Sequence, residues 1–117
     1  MKRDMDLVRK ILLAMETDQP VLIPDYDPAV VWHHVWLMAQ GHLVTAATST
    51  TQGDAYPVAL PVSITSAGHD FLDTVRDDEV WWRIKAEQRD KGLSLPFTLL
   101  QQLALKILAA HVGLPHE

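Results

Sequence analysis

The 117-residue sequence predicts a mostly helical α+β fold containing one β-hairpin. Two observations carry that class. Apolar residues return at helical spacing in five stretches, and these are separated by prolines, glycines or capping side chains. Between the second and third stretch the period becomes extended: LVTAATS at 43–49 and VALPVSIT at 58–65 flank the polar TTQGDA, a hairpin pattern with a long tip.

Each element has a local reason. Residues 4–17 form the first helix, with Met5, Val8, Leu12 and Met15 on one face, widened by Leu7 and Ile11. Asp4 and Asp6 sit in its first turn, where carboxylates suit the positive end of the helix dipole. Residues 18–20 end it, and VLI at 21–23 is read as a short strand closed by Pro24. The central helix opens at Asp27, an N-cap, with Pro28 in the first helical position. At about 100° per residue, Val30, Val31, His34, Val35, Leu37 and Met38 face the core. Ala29, Trp32, His33, Trp36, Ala39 and Gln40 face away, and Gly41 is the expected stop.

In the second strand, Pro61 lacks a ladder donor, so that strand is an edge or is bulged there. Thr65 caps a helix over 66–76, and Asp77 or Asp78 caps the next, EVWWRIKAEQRDK. Glu79–Arg83 and Glu87–Lys91 lie at supportive spacing, and Gly92 ends that helix. The last helix begins at Ser94 or Leu95, with Pro96 in its first turn. Phe97, Leu99, Leu100, Leu103, Ala104, Ile107, Leu108 and Ala110 cover about half its circumference. That excess of apolar surface predicts self-association through 96–112. The chain is accordingly expected to divide into a core at 1–76 and a C-terminal helical extension at 77–117 within one compact domain.

The bulk composition narrows the function classes. At 48% hydrophobic the chain can fill one core. A net charge of −5 argues against a generic binder of nucleic acid or anionic membrane. There is no cysteine, hence no disulfide or thiolate chemistry, as expected of a cytoplasmic protein. No apolar run reaches the roughly 18 residues of a membrane span, and MKRDMD is followed by no signal-peptide pattern.

The element order resembles a winged-helix domain. LMAQGHLV at 37–44 carries the turn from second helix to wing, and ITSAGHDFL at 64–72 carries the return from wing to helix. The opening MKRDMDLVRKILLAME, His34, GHDFLD at 68–73 and RDD at 76–78 also resemble a family of small phage and prophage proteins, the domain of unknown function twenty-five-thirteen. The resemblance covers nearly the whole chain. It implies a winged-helix-like fold and a mobile-element setting in a bacterial cell, without assigning an activity. One departure matters. Only residues 18–27, with Pro20 and Pro24, separate the first helix from the candidate recognition helix, too little for the supporting helix of a helix-turn-helix.

The charge map then tests DNA binding. Lys and Arg occupy positions 2, 3, 9, 10, 76, 83, 85, 89, 91 and 106, so the whole candidate recognition helix and wing carry none. DNA affinity rests largely on such residues, and a face of Ala29, Trp32, His33, Trp36 and Gln40 offers one amide and one imidazole. Two tryptophans at i,i+4 on that face instead suggest a protein contact. The leading expectation is therefore a non-enzymatic regulatory or interaction module contacting a protein through those five residues. The alternative is a transcriptional regulator that adds Lys2, Arg3, Arg9 and Lys10 as phosphate contacts. A third reading is an acidic inhibitor of a host defence protein.

The histidines carry less. His34, His69 and Asp73 could build a metal or proton site, but adjacent His33 and His34 point about 100° apart and cannot share an ion. His34 and His69 are expected to be structural, tying helix to wing. Ser49, Thr50 and Thr51 read as turn residues, and Asp77, Asp78 and Glu79 as capping acids with a secondary reading as a cation site. No Walker loop, nucleophile elbow or dinucleotide fingerprint occurs, and no cofactor or metal is expected.

Overall fold

The computed structural model describes residues 2–18, 20–48, 56–90 and 95–113. It is a mostly helical α+β fold: helices α1 (Met5–Glu16) and α2 (Pro28–Gln40), strands β1 (Val44–Thr48) and β2 (Ala59–Ile64), then helices α3 (Ser66–Val75), α4 (Asp78–Asp90) and α5 (Phe97–His111). Two compact units divide the chain, Met1–Leu72 and Asp73–Glu117. The division falls inside α3, a few residues before the expected boundary at 76. Among the described residues, no helix is long and apolar enough to cross a membrane.

In the first unit, α1 packs on α2, and both pack on the hairpin. Asp4 is the N-cap of α1, not a first-turn residue, and its side chain accepts from the Leu7 N–H at 3.2 Å. The buried stripe of α1 is Leu7, Val8, Ile11 and Leu12. Met5 and Met15 are only half-buried, so the face is rotated slightly from the expected one. Each fully buried aliphatic side chain contributes about 1.5–3 kcal/mol. Val31, Val35 and Met38 of α2 and Leu43, Val44 and Ala59 of the hairpin are buried with them.

The expected strand at 21–23 is not formed. The Leu22 N–H turns back onto the Pro20 carbonyl at 2.9 Å, and Asp25 takes a left-handed φ of 72°. With prolines fixing both ends and the central N–H already spent on Pro20, three residues are too short a run to pair as a strand.

The α2 helix starts as expected, with Asp27 accepting from the Ala29 N–H at 2.8 Å. Gly41 is its C-cap, as expected, but the left-handed turn falls on the next residue. Gly41 has an ordinary φ of −85°, whereas His42 takes the left-handed φ of 63°. The Leu43 N–H reaches the Met38 carbonyl at 2.9 Å, and the His42 N–H reaches the Ala39 carbonyl at 3.1 Å. That is a Schellman motif with histidine where glycine is usual.

The hairpin pairs Val44 with Ile64, Thr45 with Ser63, Ala46 with Pro61, Ala47 with Leu60 and Thr48 with Ala59. The jump from Ser63 to Pro61 leaves Val62 as an extra residue, so the bulge sits beside the proline, as expected. The Thr45 and Ser63 hydroxyls bond across the strands at 2.6 Å. At the return into α3, the Thr65 N–H bonds the Leu43 carbonyl at 3.0 Å, and Thr65 Oγ1 caps the Gly68 N–H at 3.0 Å.

In the second unit, α4 packs on α5. Asp77 caps α4 through the Val80 N–H at 3.0 Å, and Glu79 pairs with Arg83 at 2.9 Å. Val80, Trp81 and Ile84 are buried on α4, and Leu100 and Ala104 on α5. Leu99 and Leu105 of α5 and Trp82 of α4 remain exposed. The α5 helix starts at Phe97, after Pro96, two or three residues later than expected. Lys91 and Gly92 lie outside the described residues.

Candidate contact site on the second helix

The expected contact face of α2 is split by the fold. Ala29 and Gln40 are exposed, and Trp32 and Trp36 are half-buried. His33 is only 6% exposed, a correction to its outward placement. The reason is tertiary: the chain at 56–57 folds over this side of α2. The His33 Nδ1–H donates to the Pro57 carbonyl at 2.7 Å, the ring stacks on Trp36 at 5.9 Å and 14°, and Tyr56 tilts against it at 5.3 Å. Trp36 and His33 therefore belong to a packed aromatic layer.

Trp32 has a different setting. With Leu22, Ile23, Pro24, Tyr26 and Val31 it lines a groove of about 230 Å³ beside the first turns of α2. Leu22 stands 78% exposed at its edge. The irregular path through 20–25 positions these side chains: the Pro20–Leu22 turn pushes Leu22 outward, while Val21 goes into the core. The Tyr26 hydroxyl is directed away, donating to Asp4 Oδ2 at 3.0 Å, and Lys10 Nζ lies 5.4 Å from the centre of its ring. What faces the groove is thus mainly hydrocarbon and aromatic ring.

His34 is the most deeply buried polar residue nearby, at 1% exposure. The Asp4 N–H donates to its Nε2 at 2.9 Å, which places the ring proton on Nδ1, donating to the Val30 carbonyl at 2.9 Å. Burial lowers its pKa below the ordinary histidine value, against smaller opposing effects of the Val30 bond and the Asp4 charge. Burial is also the main cause of the raised Tyr26 pKa, reinforced by the bond to Asp4. Tyr26, Asp4 and His34 thus join the α2 helix to the cap of α1. His34 was expected to tie its helix to the wing; it ties it to the first helix instead.

His69 is exposed and lines a separate open groove of about 490 Å³ with Met15, Asp18, Val21, Pro61 and Val62. Asp73 is exposed and pairs with Arg76 at 3.0 Å. Among the described residues, His34, His69 and Asp73 do not form a group able to hold an ion; the one such group is Asp77, Glu79 and His111. Lys2, Arg3 and Lys10 are exposed and Arg9 is half-buried. Ser49, Thr50 and Thr51 lie outside the described residues. Sequence reasoning missed Leu22 and Tyr26 as site residues; the signal available was an apolar VLI run between two prolines, too short and constrained to pair as a strand.

A family model described as "Hypothetical protein (DUF2513)" matches residues 2–94. A Haemophilus influenzae protein described as "Uncharacterized protein" is 31% identical over 116 residues, covering 93% of this chain and 97% of the relative. No solved structure matches the chain. The family-model match, which spans the opening segment and GHDFLD, shows that the chain belongs to the DUF2513 family.

Proposed function

We propose that this chain is a small non-enzymatic interaction module of winged-helix type, from a phage or prophage, that acts in the bacterial cytoplasm by contacting a protein. The observation that carries the reading is the groove at the start of α2, where Trp32 and the outstanding Leu22 form one apolar surface. Half-exposed tryptophan beside exposed aliphatic surface is what interface anchors look like. The resemblance of the opening segment to phage-borne proteins supports the setting. The order α1, α2, hairpin, α3 supports the winged-helix reading, with the supporting helix replaced by the irregular 17–27 segment. Within the contact face, Trp32 is the anchor, Ala29 and Gln40 are its rim, and His33 and Trp36 are the packed layer behind it.

The DNA-regulator alternative draws on the exposed Lys2, Arg3 and Lys10, but α2 brings no cation to a groove.

Because the chain has no cysteine, Leu22→Cys provides a unique attachment point for a crosslinker. In host extract, Leu22→Cys should give a discrete protein adduct, lost on adding Trp32→Ala and absent from a control cysteine at Thr98. Equal labelling from all three would refute the contact site. Salt-sensitive binding of duplex DNA, weakening by orders of magnitude between about 50 and 200 mM salt, would favour the regulator instead.

A further inference from the structure

We propose that Asp77, Glu79 and His111 form a binding site for a divalent transition metal of the zinc class, joining the start of α4 to the end of α5. The three residues come from opposite ends of the second unit, and folding brings one ligand atom of each within 4.8 Å of the others. His111 Nε2 and Asp77 Oδ2 are 4.0 Å apart. Around a tetrahedral zinc ion with bonds of about 2.0–2.2 Å, neighbouring ligand atoms sit about 3.4 Å apart. Side-chain rotation alone covers the difference.

The side chains divide their work in a way that suits a metal. Asp77 directs Oδ1 to the Val80 N–H at 3.0 Å, which fixes the carboxylate and leaves Oδ2 turned toward His111. A ligand oriented by a second hydrogen bond is the usual arrangement around bound metals. Glu79 is held by Arg83 at 2.9 Å, but both partners are largely solvated. A surface pair of that kind is worth at most about 1 kcal/mol, so an ion can displace the guanidinium. The imidazole is what sets the metal class, since carboxylates alone would suit magnesium or calcium. The site lies between the C-terminal end of α5, whose dipole favours a cation, and the N-terminal end of α4, whose dipole opposes one, so the attraction rests on the two carboxylates and the imidazole.

The test is calorimetric titration of zinc chloride into the full chain, with melting followed by tryptophan fluorescence. The variants are His111→Ala, Asp77→Asn and, as a control, His69→Ala; asparagine can still cap α4. One equivalent should bind the parent chain and raise its melting temperature. His111→Ala and Asp77→Asn should each weaken binding at least about tenfold, while their metal-free melting stays close to the parent's and His69→Ala binds normally. Absence of binding, or binding undiminished in His111→Ala, would overturn the site.

Discussion

Replacing Gly68 by alanine separates two kinds of reasoning cleanly. By helix propensity, alanine in α3 should gain up to about 1 kcal/mol. The packing says the opposite. A Cβ at Gly68 would lie 2.0 Å from the Leu43 carbonyl oxygen and 2.8 Å from Ile64 Cγ2. Carbon contacts settle near 3.5 Å, so α3 must move off residue 43 by roughly an ångström or more. The same carbonyl accepts the Thr65 N–H, and Thr65 caps α3 through the Gly68 N–H. The shift therefore costs about 1–3 kcal/mol of overpacking, and about 1 kcal/mol each for the backbone bond and the cap. Net of propensity, Gly68→Ala should destabilise by about 2–4 kcal/mol. Urea denaturation followed by circular dichroism reads this as a lower midpoint at unchanged slope. A midpoint equal to or above the parent's would refute the reasoning.

Other outcomes follow from the same geometry. Gly41→Ala should be neutral or stabilising by up to about 1 kcal/mol in urea, because its φ is −85° and the added Cβ meets Leu37 and Met38 oxygens at ordinary distances of 3.6 and 3.7 Å. His42→Gly should stabilise by about 0.5–1 kcal/mol by the same measurement, relieving a side chain held at φ 63°. Tyr26→Phe should cost about 1 kcal/mol in thermal or urea melts through the lost bond to Asp4. His34 has a native pKa below its unfolded value near 6.5, so the unfolded chain binds the extra proton first. Its contribution should be complete above pH 6.5 and fall as the pH drops toward the lowered native value, with a slope of at most about 1.4 kcal/mol per pH unit. Stability curves of the parent chain and His34→Gln should run parallel above pH 6.5 and diverge in slope as the pH falls from there toward the lowered native value.

Much of the scaffold was legible because its signals are local. Asp27 with Pro28, Thr65 three residues before Gly68, and Pro61 within a strand each dictate backbone geometry through their own atoms, and all three act as the sequence suggests. The failures concern residues whose state is set from a distance. Gly41 caps the helix as expected, but the left-handed turn falls on His42, since only the fold determines which residue must turn back toward the hairpin. His33 looked solvent-facing on a helical wheel, yet a segment more than twenty residues later covers it. The 21–23 run looked like a strand because hydrophobicity does not register the carbonyl of Pro20 capturing an N–H. The groove around Trp32 is a product of that irregular path, and no periodic pattern announces it.

The bulge at Val62 bears on solubility. A two-stranded sheet has no interior strand, so both members offer an open flank to any extended chain they meet. In β2, Pro61 cannot donate from that flank, and the neighbouring extra residue twists the ladder out of the flat register that a stacking partner needs. Val62 itself is carried outward, 68% exposed. A strand rich in β-branched and aliphatic residues is thereby made a poorer template for strand addition. Straightening it, by deleting Val62 and replacing Pro61 with valine, would turn the same hairpin into a template for aggregation.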